Sequence, residues 1–258
     1  MTASLKQKFV KFILDLYLYP IKLNTNLKRY VREVILMDAS EHLRKPVRFL
    51  KSNNLIGKNP VIIDIGGANG DTTSFFLKSI PHCIVYTFEA IPELALQIKN
   101  RFINQNVEIS AMALSDKEGH IIFHVTDNFL SSSYKSINNN NQFHTTKSIE
   151  VPSSPLDIVL DEKINISEID ILKLDVQGAE LDVLRGAQQT LKKTKLLIVE
   201  QSVRSPYTGG SLYNEVDDFL RQNEFVLLDI VITYRNKGTI LKEFDSIYIN
   251  QKYKSLLT

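Results

Sequence analysis

The feature that most constrains the fold of this chain is the glycine-rich stretch VIIDIGGANGD, residues 61–71. A short apolar run leads into Gly66, Gly67 and Gly70, and Asp71 then opens an amphipathic segment. This order predicts a β-strand, a tight glycine turn and the N-terminus of a helix. In open α/β sheets such a corner binds nucleotide-type ligands, because glycines let the backbone approach and a helix N-terminus favours polar groups.

Two acids beside this turn indicate which ligand it favours. Asp64 lies two residues before the first glycine, where its carboxylate repels a pyrophosphate and attracts the ammonium group of S-adenosylmethionine. Glu89 ends the next apolar run, 19 residues after Gly70, where such folds hydrogen-bond two ribose hydroxyls. The alternative interpretations are an ordinary strand–helix loop and a solvated acid at a strand end. Asp64 also makes a nicotinamide cofactor the weaker hypothesis.

Apolar runs that alternate with amphipathic segments predict an α/β fold with a mostly parallel sheet. The predicted helices are residues 71–80, 92–104, 178–192 and 212–222. Besides the strand before the glycine turn, the predicted strands are residues 84–89, 107–112, 169–175, 195–201, 225–231 and 245–250. The connection between the last two is polar and suits an antiparallel hairpin at the end of the sheet.

One region interrupts this alternation. Residues 117–152 contain two β-like runs, Gly119–Thr126 and residues 148–152, on either side of the polar tract Asn138–Asn141. We interpret the region as a β-rich insertion that carries a polar loop.

The N-terminal residues also lie outside the alternation. One amphipathic helix is predicted at residues 27–38, and a second after Ser40, which is a good N-cap. The predicted domains are therefore a helical extension, residues 1–57, and an α/β domain, residues 58–258.

Positive charge is concentrated in the same extension. Residues 1–50 hold ten Lys/Arg against four Asp/Glu, although the net charge of the chain is only +2. Lys8–Pro20 joins lysines to an apolar run that is too short to span a bilayer and lacks a small-residue cleavage site. We expect a cytoplasmic protein without a nucleic-acid partner. Residues 1–20 either form a basic helix at the inner membrane surface or pack on the core or a second subunit.

Cysteine and histidine give no indication of a metal. Cys83 is the single cysteine, which excludes an internal disulfide and a cysteine-based metal site. His120 and His124 share one face of a predicted strand without a matching cluster of acids. The sequence therefore predicts no metal site.

Seven segments, in order, resemble the FkbM family of S-adenosylmethionine-dependent methyltransferases, and the resemblance extends over roughly Val61–Ile230. They are IDIGGANGDTT, FEAIPE, NVEISAMALSDKEG, SSSY, VPSSPLDIVL, DILKLDVQGAELDVLRGA and LIVEQS. The resemblance implies a Rossmann-like class I methyltransferase sheet with S-adenosylmethionine as cofactor. It also implies O-methylation of a hydroxyl on a sugar, glycan, glycolipid or small metabolite.

The resemblance assigns the cofactor to particular positions of this chain. Those in and around the glycine turn and the second strand are Asp64, Gly66, Gly67, Gly70 and Glu89. Ser115 and Asp116, after the third strand, are placed near the adenine. Gly67 and Ala68 depart from the family pattern, which usually has Ala and Asn there, so cofactor contacts are expected to shift to the backbone or to Asn69.

A second motif, K-I-D-x-E-G-x-E in the family, is matched at residues 173–180. Lys173, Asp175, Gly178 and Glu180 are retained, whereas Gln177 stands where Glu is usual. Methyl transfer to a hydroxyl needs a group that accepts its proton. Ligands of open α/β sheets lie beyond the carboxyl ends of the strands, where the acids are Asp64, Glu89, Asp175 and Glu200. With the first two assigned to the cofactor, the last two are the candidate bases.

Three further features each keep two interpretations. Lys173 is either a substrate residue or the partner of a carboxylate inside the sheet. Glu180 is interpreted as a first-turn acid of a helix in preference to a catalytic group. Ser131–Ser133 is either a turn or a substrate-facing loop. For the whole chain, the alternative to an active enzyme is a non-catalytic S-adenosylmethionine-binding or membrane-associated module.

Overall fold

A computed structural model of the chain describes residues 41–138, 144–163, 166–236 and 240–253. The predicted helix at residues 27–38, the basic segment Lys8–Pro20 and most of the asparagine tract lie outside these residues. Within the described part, none of the helices is both long enough and apolar enough to cross a membrane.

The described residues form ten strands and seven α-helices. The strands are β1 Val61–Ile65, β2 Ile84–Glu89, β3 Val107–Ala111, β4 Ala113–Leu114, β5 Gly119–Thr126, β6 Thr145–Ser154, β7 Ile169–Leu174, β8 Thr194–Ser202, β9 Phe225–Asn236 and β10 Ile240–Asn250. The helices are α1 Glu41–Ser52, α2 Asp71–Ser79, α3 Pro92–Arg101, α4 Leu156–Lys163, α5 Glu180–Arg185, α6 Gln188–Lys193 and α7 Tyr213–Gln222.

Seven strands form the main sheet in the order β3-β2-β1-β7-β8-β10-β9. The first five are parallel, and β10 pairs antiparallel with both β8 and β9. Every residue of β7 is buried, as expected for a central strand covered on both faces. The predicted fold, a mostly parallel sheet with a C-terminal antiparallel hairpin, is therefore confirmed.

Helices cover both faces of this sheet. On one face, α1 and α2 bury Leu43, Val47 and Phe76 against Ile171 and Ile198 of the central strands. On the other face lie α4 to α7. Because α1 shares a core with the sheet, its packing is that of a domain helix. The predicted boundary between residues 57 and 58 stays a prediction.

A smaller sheet, in the order β4-β6-β5, occupies the insertion. Strands β5 and β6 pair antiparallel along most of their length, and β4 joins β6 in parallel. Phe123 and Val151 are buried between this sheet and Ile91 of the main domain. The small sheet is thereby attached beside the carboxyl end of β2.

Two predicted elements are corrected. The helix expected at residues 178–192 is split into α5 and α6 at Gly186, whose carbonyl accepts the amide of Asp157 at 3.0 Å while the Asp157 carboxylate accepts the first amides of α6. Glycine is required at this break, because a Cβ there would lie 2.1 Å from the carbonyl oxygen of Ser115. The strands expected at residues 225–231 and 245–250 are longer, since β9 and β10 extend through most of the segment predicted as their connection.

Candidate active site

The glycine turn after β1 packs against both neighbouring strands. The amides of Gly66 and Gly67 donate to the carbonyl oxygen of Phe88 at 2.9 and 3.0 Å. Gly66 has a φ of 86°, and a Cβ on it would lie 1.9 Å from the carbonyl oxygen of Asp175. Only glycine permits this approach. The packing brings the turn, the end of β2 and the end of β7 together at one edge of the sheet.

Glu89 lies at this edge with both carboxylate oxygens engaged. Oε2 accepts the amide of Ala68 at 2.7 Å, and Oε1 accepts the amide of Ile91 at 2.8 Å. Burial raises the pKa of Glu89 to about 7, and the charges of Asp64 and Asp175 act in the same direction. Each oxygen retains a second lone pair, so the carboxylate can accept further hydrogen bonds from a ligand.

A buried polar row lies beneath the turn. Asp64 is completely buried, accepts the hydroxyl of Thr73 at 2.8 Å through Oδ2, and faces Lys173 on the adjacent strand. Its Oδ1 lies 3.9 Å from Lys173 Nζ and has no hydrogen-bond partner among the described residues. Burial raises the pKa of Asp64 although Lys173 opposes the shift. Direct contact between Asp64 and a ligand stays a prediction. Because Asp64 is buried, we expect its carboxylate to act on a ligand through its electrostatic field.

Beyond Lys173, two carboxyl groups meet at the ends of β7 and β8. Asp175 Oδ2 lies 3.2 Å from Lys173 Nζ, and its Oδ1 accepts Gln177 Nε2 at 2.9 Å. Gln177 Nε2 also donates to Glu200 Oε2 at 2.5 Å. Asp175, Gln177 and Glu200 are half-buried, whereas Lys173 is buried, so the carboxyl pair remains open to solvent.

The two carboxyl groups differ in protonation. Burial alone would raise the pKa of Asp175, but Lys173 and hydrogen bonds from Gln177 and Glu200 hold it below its usual value. Burial and the charge of Asp175 raise the pKa of Glu200 well above its usual value. A proton held by the pair therefore lies preferentially on Glu200, and Asp175 is the group that ionises more readily. An ionised carboxylate at a strand end can accept a hydrogen bond and then a proton from a hydroxyl.

Tyr207 connects this pair to the insertion. Its hydroxyl lies 2.8 Å from Gln177 Oε1 and 2.9 Å from the carbonyl oxygen of Ser131. The side chains of Ser131–Ser133 are buried, and the hydroxyls of the last two accept backbone amides of residues 126 and 135. These contacts favour the turn interpretation of the three serines.

A third acid adjoins the pair from the antiparallel strand. Asp245 on β10 faces Glu200 across the ladder, and its Oδ2 lies 3.5 Å from Nδ1 of His42 on α1. Burial raises the pKa of Asp245, and nearby Glu243 has a raised pKa for the same reason. The side of the site that we assign to the acceptor is therefore rich in acidic residues, and Lys173 is a buried cation among them.

Ser115 and Asp116 follow β4, away from the carboxyl pair. The Ser115 hydroxyl is buried, shares a hydrogen bond with Ser153 at 2.8 Å and donates to the Lys117 carbonyl at 2.9 Å. Asp116 is exposed. Their predicted role near an adenine stays a prediction; the geometry gives Ser115 a part in joining β4 to β6.

Glu180 occupies the first position of α5 and is buried. Its Oε1 accepts the amide of Gly178 at 2.9 Å, which agrees with the interpretation as a first-turn acid. Burial raises the pKa of Glu180 to about 7. Its folded-state pKa therefore exceeds the value in the unfolded chain, and its contribution to stability is complete below about pH 4.5 and is lost as the pH rises through 7.

Replacing Glu180 tests this directly. Between pH 4.5 and 7.5 we expect the free energy of unfolding of the parent to fall as Glu180 ionises. In Glu180→Gln this fall should be smaller by roughly 2 to 3 kcal/mol, because Gln keeps the accepting oxygen and carries no charge. Urea unfolding at both pH values measures the difference. Glu215→Gln, at an exposed first-turn acid of α7, is the matched control. Identical slopes for Glu180→Gln and the parent would contradict the assignment.

Three of the site's groups had no signal in the sequence: Tyr207, Asp245 and His42. Tyr207 reaches the site from a loop, Asp245 through an antiparallel pairing and His42 from α1, and none of these placements can be predicted from periodicity. Among the described residues, His, Cys, Asp and Glu form no group of three that could hold a metal ion. His124 instead pairs its Nδ1 with the Ser148 hydroxyl at 3.0 Å.

Comparison with known proteins adds a family and several relatives. The family described as Methyltransferase FkbM domain matches residues 64–227. The 2-O-methyltransferase NoeI of Sinorhizobium fredii is 29% identical over 221 residues, which are 77% of this chain and 91% of that protein. Methyltransferase 1 of Beauveria bassiana is 26% identical over 48% of this chain and 57% of its own length.

Among solved structures, magnesium protoporphyrin IX methyltransferase of Synechocystis PCC 6803 with bound SAM superposes with a TM-score of 0.48. It is 9% identical and covers 95% of this chain and 97% of its own. The N-methyltransferase NodS of Bradyrhizobium japonicum WM9 is 13% identical, with coverages of 83% and 96% and a TM-score of 0.45.

Proposed function

From the premise that this chain belongs to the FkbM methyltransferase family, we propose that it transfers a methyl group from S-adenosylmethionine to a hydroxyl of a sugar, glycan, glycolipid or small metabolite. The observation that carries the proposal is the meeting, at one sheet edge, of the glycine turn with Glu89 and of the Asp175–Glu200 pair. The glycine turn with Glu89 suits the cofactor, and the Asp175–Glu200 pair suits a hydroxyl. The name of the relative NoeI, a 2-O-methyltransferase, supports oxygen as the atom methylated.

The residues present fit S-adenosylmethionine. Glu89 has carboxylate lone pairs free for two ribose hydroxyls, and Gly66 of the adjoining turn is only half-buried at the same edge. Asp64, whose Oδ1 lacks a hydrogen bond among the described residues, adds negative potential beneath the turn. That potential favours a cofactor that carries both an ammonium and a sulfonium. Ser115 and Asp116 complete the proposed cofactor side.

On the acceptor side, the residues handle a proton. Bound S-adenosylmethionine supplies a methyl group on a positively charged sulfur, open to in-line attack by oxygen. Asp175 accepts a hydrogen bond from the hydroxyl of the acceptor substrate and takes the proton of that hydroxyl as its oxygen is methylated. Lys173 keeps Asp175 ionised until then, and Glu200 supports the charge by a hydrogen bond. A carboxylate with a lowered pKa suffices, because an oxygen that is being methylated becomes strongly acidic.

Glu89 gives the sharpest test of the cofactor side. Glu89→Ala should bind S-adenosylmethionine at least tenfold more weakly, because it loses ribose hydrogen bonds that are worth about 1.5 to 3 kcal/mol each. Isothermal titration calorimetry measures the affinity. Glu93→Ala, at an exposed acid of α3, is the control and should bind like the parent. Unchanged affinity in Glu89→Ala would reject the assignment.

The function as a whole is tested by methyl transfer. Purified protein with methyl-labelled S-adenosylmethionine is screened against free sugars, lipid-linked sugars and hydroxylated metabolites. Label in a stable ether product supports the proposal. Tight cofactor binding without transfer to any acceptor class would favour the alternative, a non-catalytic binding module. NAD, tested in the same calorimeter, should bind far more weakly.

We also propose peripheral membrane contact through residues 1–20, on the strength of their lysines and apolar run. The full chain should then sediment with anionic liposomes, and a chain that starts at Asn24 should stay in the supernatant. Neutral liposomes serve as the control. Equal sedimentation of the two chains, or loss of an oligomer on truncation, would favour packing on the core or on a second subunit.

A further inference from the structure

Gln177 is bonded to both carboxyl groups of the acceptor side at once. Its Nε2 donates to Asp175 Oδ1 at 2.9 Å and to Glu200 Oε2 at 2.5 Å, so each amide hydrogen serves one carboxyl. Gln177 also has a φ of 56°, a left-handed conformation that glutamine rarely adopts. A side chain held by two hydrogen bonds from a strained backbone position is fixed in place by its surroundings.

Tyr207 contacts the opposite, oxygen-bearing end of the amide. Its hydroxyl lies 2.8 Å from Gln177 Oε1. The phenol is 4% exposed, and a Cβ on Gly178 would lie 2.8 Å from its ring, so the ring is held against the backbone that follows Gln177. A reversed amide would place its oxygen against both carboxyl groups and its NH₂ against the phenol. The observed orientation supplies donors to both acids.

We propose that Gln177, oriented by Tyr207, is a positioning residue that holds the Asp175 and Glu200 carboxyl groups side by side and keeps Asp175 in its charged, proton-accepting form. This inference rests on the proposed methyl transfer to a hydroxyl. Hydrogen bonds donated to a carboxylate favour its ionised form. A hydroxyl acceptor then meets Oδ2 of Asp175, which is held beside Lys173, since Oδ1 is bound to the amide.

Other charges also act on the pair, and the contribution of Gln177 must be separable from theirs. They are Lys173 on β7, Asp64 on β1, Glu89 on β2, Glu243 and Asp245 on β10, and Glu180 on α5. None of these residues is altered by a substitution at position 177 or 207. A change in the titration of Asp175 in such a variant therefore reports on the amide.

The direct test is a ¹³C NMR titration of carboxyl carbons, assigned with Asp175→Asn and Glu200→Gln, which needs no methyl acceptor. In Gln177→Met, which keeps the length and removes the donors, the midpoint of Asp175 should rise by about one pH unit or more. Tyr207→Phe keeps the ring and should give a smaller rise. Gln222→Met, at an exposed end of α7, should give none. An unmoved midpoint in folded Gln177→Met overturns the inference, and Tyr207→Phe replaces it in the test if Gln177→Met does not fold.

A second readout separates positioning from general stability. In Gln177→Met, the acid limb of kcat/KM should move to higher pH by the same amount as the Asp175 midpoint, because a larger fraction of the base is protonated. A merely structural residue would lower kcat/KM equally at every pH. Activity in the parent with an unmoved acid limb in Gln177→Met overturns the inference alone. A parent that transfers no methyl group to any hydroxyl acceptor overturns the proposed function.

Discussion

Asp175→Asn should lower turnover about 10²-fold or more while the affinity for S-adenosylmethionine changes little. The substitution preserves the shape of the side chain at the end of β7 and removes its charge. Asn can still accept a hydrogen bond from the hydroxyl, but it cannot take the proton. The Asp175 side chain contacts Lys173 and Gln177, whereas its contact with the glycine turn is made by its backbone carbonyl, so cofactor binding should depend weakly on the side chain.

Steady-state methyl transfer and calorimetry on the same preparation measure the two quantities. Asp161→Asn, at an exposed acid of α4, is the matched control and should retain normal turnover. If Asp175→Asn turns over at a near-normal rate, Glu200 becomes the leading candidate base. If it instead loses thermal stability and cofactor affinity together, Asp175 is a structural carboxylate.

Lys173→Met should destabilise the protein by about 3 to 5 kcal/mol. Lys173 is 3% exposed and lies between the carboxylates of Asp64 and Asp175. Without its charge, two acids remain in a buried or half-buried position with no cation described beside them. The methionine keeps the volume, so the loss reports on charge more than on packing.

The pH dependence of this loss has a definite sign. Removing Lys173 raises the folded-state pKa of Asp64 further above its value in the unfolded chain, and it removes the charge that holds the pKa of Asp175 below its usual value. The destabilisation should therefore be smaller at pH 5, where these acids take up protons, and larger at pH 7.5. Urea unfolding at both pH values measures it, with Lys78→Met on the exposed face of α2 as control. Equal destabilisation at both pH values would show that packing, and not charge, is lost.

The parts of the site that follow from local sequence could be predicted. An apolar run, a glycine turn and an acid 19 residues later place Gly66 and Glu89, because parallel strands bring their carboxyl ends to one edge. The acids Asp175 and Glu200 were predicted for the same reason, and the structure brings them together through Gln177.

The remaining parts depend on contacts between distant segments. Asp245 reaches the site because β10 runs antiparallel to β8 in a register that apolar spacing does not determine. Tyr207 lies in a loop without periodicity. The break at Gly186 lies where Ser115 and Asp157 pack against the chain, so no helical pattern within residues 178–192 could reveal it.

The buried row beneath the glycine turn also bears on how the strands find one another. Strands β1 and β7 are separated by more than 100 residues, yet they pair so that Lys173 faces Asp64. A slip of one residue would turn Lys173 to the opposite face of the sheet, and a slip of two would set it against Ile62 or Gly66. Apolar side chains such as Ile62, Ile63 and Leu172 tolerate several registers about equally. An ammonium and a carboxylate that must meet inside the sheet tolerate only one register. The same pairing sets the distance between the glycine turn and Asp175.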